Sequence, residues 1–158
     1  MPKVTAIQFT QDQTRTLTGV SIETVRHWRK AIPYLSPKTG KVARFSFMDL
    51  LGLAITNELV NSLGVHIATV SAGVDALFRL LATSKPASLD GAVVFVTATE
   101  AILREAGPDG IGQVPAKPAL TIALTPLIAR IQQQMLPVMP VSNQAVLPFP
   151  QEAIRSRA

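Results

Sequence analysis

The chain of 158 residues contains no cysteine. Disulfide frameworks, thiolate zinc sites, iron–sulfur centres and thiol-based redox sites all need cysteine sulfur, so the sequence excludes them. His27 and His66 are the only histidines, and neither has an acidic pair at metal-ligand spacing. No serine lies in a Gly-x-Ser-x-Gly elbow either. We therefore expect no metal site, no cofactor and no enzymatic activity.

Charged residues are scarce and long apolar runs are missing. Charged side chains make up 16% of the chain, below the usual ~25%, while 47% of residues are hydrophobic. Such a composition leaves apolar surface uncovered in a monomer and favours oligomerisation. No apolar run approaches the roughly 18 to 20 residues that a membrane span needs, and the segment MPKVTAIQFT has no apolar signal core. We expect a cytoplasmic protein without a membrane partner.

Basic residues are concentrated in the first half of the chain. The formal net charge is +5; residues 1–82 hold nine basic and five acidic residues, and residues 83–158 hold six and five. Most of the excess lies between Arg15 and Arg44. This placement favours a polyanionic partner for the amino-terminal half, while a merely solvated positive face remains an alternative.

Small residues and a proline at Thr83–Ser88 predict a linker. The sequence thus divides into a domain at 1–82, a smaller one at 83–136 and a proline-rich arm or disordered tail at 137–158. For the smaller domain we predict a β-α-β-α order followed by the tail. Its elements are a strand at Ala92–Thr97, a helix at Glu100–Ala106, a loop at 107–118, a strand at Leu120–Leu124, and a helix at Leu127–Leu136 capped by Thr125.

This second unit has only about 50 residues, which is below the size at which one core is usually self-sufficient. Burying its two apolar strands without disulfides or metal therefore predicts a second copy of the chain. A shared sheet and helix packing across a two-fold axis are the two ways to provide it.

Two short helices with a glycine turn are predicted near the amino terminus. Thr10 precedes a helix at Gln11–Leu17, Gly19 lies in the turn, and Ser21 caps a helix at Ile22–Ala31. In the second helix Val25 and Trp28 share a packing side, whereas the charged side chains lie largely elsewhere. This pattern is typical of a helix-turn-helix whose second helix enters the major groove of DNA.

A basic turn follows, and it predicts a β-hairpin between Tyr34-Leu35 and Val42–Phe45 with Lys38 and Lys41 at its tip. Ser46 with Asp49 then forms a capping box that opens a helix at Phe47–Leu63, closed by Gly64. Another helix is predicted at His66–Leu81. The fold class is therefore α+β, mainly helical, with a winged helix-turn-helix domain first and a small dimerisation unit second.

About half the chain, residues 7–82, resembles the winged-helix DNA-binding domain of MerR-type transcription regulators. The motifs that carry the resemblance are Thr18-Gly19-Val20, Ile22 to Trp28, Pro33 to Pro37, Gly40, Arg44-Phe45-Ser46, Asp49-Leu50 and Leu63 to Ile67. Arg29 stands where the family usually has an acidic residue, and the wing has fewer arginines than usual. The long dimerisation helix and metal-binding cysteines of many members are not seen, so metal sensing is not implied.

Double-stranded DNA is the partner that the resemblance implies. The candidate contact residues are Arg15, Ser21, Thr24, Arg26, His27, Lys30, Lys38, Lys41 and Arg44. Arg26, in mid-helix on the face opposite the core, is the candidate for guanine or phosphate, and the other basic residues are candidates for phosphate. Trp28 is expected in the core, and His66 is expected to have a structural role at a helix start.

The leading hypothesis is a sequence-specific transcription regulator that binds inverted-repeat operators as a homodimer through its carboxyl-terminal half. One alternative is an excisionase-like architectural factor that bends DNA. Another is a protein-interaction adaptor that has lost DNA binding, which Arg29 and the thin wing leave open.

Overall fold

The computed structural model describes residues 7–105 and 115–135, which combine helices with short strands. In chain order the elements are β1 (Gln8–Phe9), α1 (Gln11–Thr18), α2 (Ile22–Ala31), β2 (Phe45–Ser46), α3 (Phe47–Asn57), α4 (Ile67–Thr83), β3 (Ala92–Val96), β4 (Ala101–Glu105), β5 (Leu120–Ala123) and α5 (Leu124–Met135). A π-helical turn at Glu58–Ser62 extends α3, and 3₁₀ turns lie at Pro33–Leu35 and Pro86–Ser88. The amino-terminal part is mainly helical. The predicted tail at 137–158 and most of the predicted loop at 107–118 lie outside the described residues.

The helices of the amino-terminal part begin at the predicted caps. Thr10 and Ser46 each form a capping box with the residue three positions later, Gln13 and Asp49 respectively. Ser21 caps α2 by accepting a hydrogen bond from an amide of its first turn. These contacts satisfy N–H groups that have no partner inside the helix, so local sequence is enough to fix where each helix starts.

Glycines end α1 and the extension of α3, as predicted. Gly19 has φ +76°, and its N–H donates to the Arg15 carbonyl at 2.9 Å. Gly64 has φ +70°. This backbone conformation is energetically unfavourable for any L-residue that carries a side chain. After it, His66 occupies the N-cap position of α4 but its side chain makes no capping bond, so its backbone alone serves the helix start.

The predicted β-hairpin between Tyr34-Leu35 and Val42–Phe45 is wrong. Pro33 begins a 3₁₀ turn instead, in which the Leu35 and Ser36 amides donate to the Ile32 and Pro33 carbonyls. The proline ring fixes φ near the helical value, which favours this turn over an extended strand. Phe45 pairs antiparallel with Phe9 of β1, far back in the sequence, and not with residue 34 or 35.

A three-stranded antiparallel sheet in the order β4-β3-β5 forms the carboxyl-terminal part. The strand predicted at Ala92–Thr97 is confirmed as β3, and the one predicted at Leu120–Leu124 as β5. All five residues of β3 are buried, as expected for a central strand.

The helix predicted at Glu100–Ala106 is wrong, and with it the β-α-β-α order. Residues Ala101–Glu105 form strand β4. It pairs antiparallel with β3, with Ala101 opposite Val96 and Glu105 opposite Ala92. Thr97 closes the connecting turn, because its Oγ1 accepts from the Glu100 amide at 2.8 Å and its own amide donates to the Glu100 carbonyl at 2.8 Å. A helix of seven residues has little stability of its own, so the neighbouring strand decides the conformation.

Helix α5 begins at Leu124, one residue before the predicted N-cap Thr125 and two before Pro126, the predicted first helical residue. Thr125 lies inside its first turn and does not cap it: Thr125 Oγ1 accepts from the Gly91 amide at 2.8 Å and lies 3.3 Å from Asp90 Oδ1. The threonine therefore joins α5 to the segment before β3.

One buried hydrophobic cluster runs through both parts of the chain. Helix α4 packs on β3 and β4, and α5 packs on β3, α1 and α3. Leu124, Leu127 and Ile131 of α5 are buried in this cluster together with Val94 and Val96 of β3. The premise that these strands need a second copy for burial is therefore wrong, because helices of the same chain cover them.

Gly73 of α4 brings the helix against the turn between β3 and β4. Its N–H donates to the Ala98 carbonyl at 3.1 Å, and a Cβ at this position would overlap the Thr97 carbonyl oxygen. Because the overlapping atom belongs to the backbone, only the absence of a side chain allows this approach.

Among the described residues, no helix is long and apolar enough to cross a membrane.

We predict that Gly73→Ala lowers the free energy of unfolding by about 1 to 3 kcal/mol, because the added methyl group forces α4 away from the sheet. Chemical denaturation of the full chain measures this. Ala72→Ser, at an exposed neighbour in the same helix, is the control and should change the value by less than about 0.5 kcal/mol. A stabilised Gly73→Ala protein, which helix propensity alone would produce, would contradict the close approach.

Candidate nucleic-acid interface

The turn between α1 and α2 is fixed by side-chain hydrogen bonds. Thr18 Oγ1 donates to the Thr14 carbonyl at 2.7 Å and accepts from the Val20 amide at 3.1 Å. Val20 is buried, and Ser21 and Thr24 join their hydroxyl groups at 2.8 Å. These contacts hold the turn in one conformation and therefore fix the direction of α2 relative to α1.

Helix α2 has one buried side and one charged side. Val25 and Trp28 are buried, with Trp28 only 1% exposed, so its predicted core position is confirmed. The opposite side carries the α2 stripe, four exposed residues at helical spacings of three and four. These residues are Glu23, Arg26, His27 and Lys30. An exposed stripe of this width on a short helix fits the major groove of DNA.

Residues 36–44 form the wing loop, which follows the 3₁₀ turn and leads into β2. Arg29 of α2 holds this loop, because its Nη1 donates to the Lys38 carbonyl at 2.8 Å. Arg44 Nη1 donates to the carbonyls of Lys41 and Ala43, both at 3.0 Å. At the tip Lys41 and Val42 are exposed, Val42 to 84%. The loop thus has a fixed base beside α2 and a projecting tip.

Lys38 does not project from the tip. Its Nζ donates to the Arg44 carbonyl at 2.8 Å and lies 3.2 Å from Asp49 Oδ2, and its side chain is 22% exposed. The ammonium group also lies 5.4 Å from the centre of the Phe45 ring, within the range of a cation–π contact. Its charge is therefore used inside the loop.

Asp49 joins three segments around one buried carboxylate. Besides Lys38, it accepts hydrogen bonds from the Ser46 amide at 2.9 Å and from the Tyr34 hydroxyl at 2.7 Å. Burial, the hydrogen bond to Asp49 and the negative charge of that carboxylate together raise the pKa of Tyr34 above its ordinary value. The hydroxyl therefore keeps its proton and remains a donor. The Tyr34 ring stacks on Phe78 of α4, with ring centres 5.1 Å apart.

The nine predicted contact residues fall into two groups. Exposed side chains are those of Arg15, Arg26, His27, Lys30, Lys41 and Arg44; partly buried and hydrogen-bonded ones are those of Ser21, Thr24 and Lys38. Within residues 7–105 and 115–135, none of the exposed group forms an ion pair. Arg15 lies beside Ile22 and Phe45 along a small crevice, which places it where α1, α2 and β2 meet.

Sequence reasoning missed the contribution of Arg29 and Tyr34, and it gave Asp49 only its capping role. The capping box was visible from Ser46 to Asp49, but the bonds to Tyr34 and Lys38 join residues 11 to 15 positions apart across a turn. No spacing rule indicates such contacts.

In a comparison with protein-family models, residues 9–76 match the model of the MerR HTH family regulatory protein. The matched range contains α1, the turn, α2, the wing loop, α3 and most of α4. No curated protein and no solved structure matches the chain. The family match indicates a DNA-binding transcription regulator and double-stranded DNA as the partner.

We expect Asp49→Asn to lower the free energy of unfolding by about 1 to 3 kcal/mol, because the amide has no charge for Lys38 and offers one oxygen where the carboxylate offers two. Relative to the parent chain, amide hydrogen exchange in the Asp49→Asn variant should increase more in the wing loop than in the rest of the protein. Asp12→Asn, at an exposed carboxylate in the first turn of α1, is the matched control and should have little effect. Equal effects of the two changes would show that the buried carboxylate has no special role.

Proposed function

We propose that the chain is a sequence-specific transcription regulator that binds inverted-repeat operators in duplex DNA as a homodimer. The match of residues 9–76 to the MerR HTH family model supports the DNA-binding part of this proposal. The observation that carries the proposal is the α2 stripe, which lies opposite the buried Val25 and Trp28. The wing loop, fixed to the same helix by Arg29, supplies a second exposed basic element.

The exposed residues have different roles in this proposal. Arg26 lies in the middle of the α2 stripe, where a guanidinium group can donate two hydrogen bonds to O6 and N7 of guanine. Lys30, Lys41 and Arg15 contact phosphates, which fix the position of the protein but carry no sequence information. The exposed Arg44 does so with guanidinium nitrogens other than Nη1, which donates to two carbonyls of the wing loop. His27, also on the stripe, is a further phosphate contact. Ser21 and Thr24 order the start of α2, and their hydroxyl groups lie at its amino-terminal end.

Lys38 and Arg29 position the wing loop in this proposal, and do not contact DNA directly. Both use their charged groups on backbone carbonyls, and Lys38 also faces Asp49. The arginine at position 29 thus has a structural use beside α2, which removes one of the features that favoured a protein-interaction adaptor.

A dimer would present two α2 helices to the two halves of an operator. Half-sites of an inverted repeat are then about 34 Å apart, one turn of DNA, or a multiple of that distance. Binding to the two half-sites is cooperative because one copy holds its partner near the second half-site.

We expect the affinity for duplex DNA to fall steeply with salt, because each phosphate that Lys or Arg neutralises releases counterions. The slope of log K against log salt should be about −0.9 for each such contact. Fluorescence anisotropy with a labelled duplex over a range of salt concentrations measures it. A flat dependence would contradict the phosphate contacts.

Arg26→Ala should weaken binding to the preferred sequence by about 1 to 3 kcal/mol and relax the preference at one base pair. Lys41→Ala should weaken all sequences alike and reduce the salt slope by about one. Binding to a library of duplex oligonucleotides, followed by titration of selected ones, separates these outcomes. Lys85→Ala, an exposed lysine after α4 and outside the matched region, is the control. Loss of sequence preference in both α2 and wing variants would contradict the roles assigned to them.

A further inference from the structure

Tyr34 has a backbone amide that its own turn leaves without an acceptor. It lies in the 3₁₀ turn at Pro33–Leu35, where Ile32 occupies the N-cap position but makes no side-chain capping bond. The later amides, those of Leu35 and Ser36, donate to carbonyls of the turn. The first N–H groups of a helical turn have no partner inside it. An acceptor for the Tyr34 amide must therefore come from another segment.

Asp75 of α4 supplies that acceptor, from 41 positions further along the chain. Its Oδ1 accepts a hydrogen bond from the Tyr34 amide at 2.7 Å. Its Oδ2 lies 2.9 Å from Nε of Arg79, one helical turn later, and the Asp75 side chain is only 19% exposed. A hydrogen bond from an amide to a carboxylate is stronger than one between neutral groups. Asp75 therefore ties the start of the 3₁₀ turn to α4.

The Tyr34 side chain is held by the same helix. Its ring stacks on Phe78, and the guanidinium carbon of Arg79 lies 5.9 Å from the ring centre, within the range of a cation–π contact. Its hydroxyl group donates to Asp49 at 2.7 Å. Tyr34 is thus fixed at its amide, its ring and its hydroxyl group, and Asp75 provides the contact to the backbone.

The wing loop begins directly after this anchored turn. The Lys38 amide donates to the carbonyl of Leu35, the last residue of the turn, at 3.0 Å. At the tip, the Ala43 amide donates to the Gly40 carbonyl at 3.2 Å and closes a second turn that presents Lys41. A loop with a fixed entry holds its tip in place before binding, which lowers the entropy cost of a contact made by the tip.

We propose that Asp75 is a positioning residue for DNA binding: its carboxylate fixes the entry of the wing loop and thereby places Lys41 at a phosphate. This proposal rests on the proposed function, in which Lys41 contacts phosphate. Asp75 acts without contacting DNA, because both of its oxygens bond inside the protein. Two residues earlier in α4, the Gly73 amide donates to the Ala98 carbonyl. One turn of α4 therefore connects the carboxyl-terminal sheet to the wing loop.

Hydrogen exchange of the free full-length chain tests the anchor without DNA. In the Asp75→Ala variant, the Tyr34 amide should exchange roughly tenfold faster because it loses its acceptor. Exchange in the wing loop should also increase, whereas exchange in α2 should stay at the parent rate. Glu105→Ala removes an exposed carboxylate from β4 and is the control, with the same change in net charge. Parent-like exchange of the Tyr34 amide in Asp75→Ala overturns the inference.

The affinity for duplex DNA gives a test by sign. Asp75→Ala should weaken binding roughly threefold to tenfold, because the wing loop must then be ordered during binding. Net charge predicts the opposite sign, since loss of an acidic residue strengthens attraction to phosphates, and Glu105→Ala measures that effect. Asp75→Asn keeps an oxygen for the Tyr34 amide and should restore most of the affinity. Binding by Asp75→Ala as tight as that by Glu105→Ala, or no rescue by Asp75→Asn, contradicts the assigned role.

Salt dependence and a double-mutant cycle show whether Asp75 acts through Lys41. Asp75→Ala should reduce the slope of log K against log salt by up to about one, the change expected for Lys41→Ala. A general loss of stability lowers the folded fraction but leaves this slope unchanged. In the Lys41→Ala background, Asp75→Ala should have little further effect, whereas independent changes add. Additive losses of affinity overturn the inference.

Thermal unfolding shows which variants are folded at the temperature of the binding experiments. If Asp75→Ala is not folded, Arg79→Gln replaces it in the same cycle with Lys41→Ala. This change leaves the Asp75 carboxylate without the partner that orients it. The cycle cancels the lost charge of Arg79, so a non-additive result supports the inference and an additive one overturns it.

The two sets of measurements distinguish failure of this inference from failure of the proposed function. If Asp75→Ala exchanges faster in the wing loop but neither it nor the parent binds duplex DNA, the anchor stands and the proposed function is wrong. If the parent binds DNA with the expected salt slope and Asp75→Ala matches it in affinity, slope and exchange, the role of Asp75 is wrong and the proposed function stands.

Discussion

The carboxylate of Asp49 lies inside the protein, where a charge is tolerated only if hydrogen bonds and an opposite charge surround it. Its three partners come from three segments: the start of α3, the 3₁₀ turn with Tyr34, and the wing loop with Lys38. Satisfying one buried group therefore fixes these segments relative to one another. Through the Tyr34 ring on Phe78 the same arrangement extends to α4.

The basic residues of the amino-terminal half have two physical uses. Lys38 and Arg29 donate hydrogen bonds to backbone carbonyls and thereby hold the wing loop beside α2. Arg26 and Lys30, by contrast, are exposed on the α2 stripe and have no competing ion pair in the described ranges. Only the second kind is available to a polyanionic partner, so the net charge by itself overstates the positive charge that such a partner would contact.

The carboxyl-terminal part of the chain is built into the same core as the helix-turn-helix. Gly73 lets α4 touch the turn of the sheet, and α5 fills the space between β3 and the helices α1 and α3. Because one chain buries these strands, a second copy has no role in completing the core.

The sequence by itself determined the helices of the amino-terminal half, because their signals are local. Ser21 and Ser46 cap within one turn, Gly19 ends α1, and the spacing of Val25 and Trp28 defines a buried side. The family resemblance in this half rests on the same short motifs, and the family match confirms it.

Only the tertiary structure decided features that depend on partners far apart in the chain. Ala101–Glu105 is extended because β3 offers it a ladder, and Phe45 pairs with Phe9 in place of the nearby Leu35. Lys38 turns inward because its ammonium group pairs with the buried Asp49 carboxylate. Hydrogen bonds between distant segments leave no periodicity or spacing in the sequence, so a short segment with weak intrinsic preference takes the conformation that its neighbours in space can satisfy.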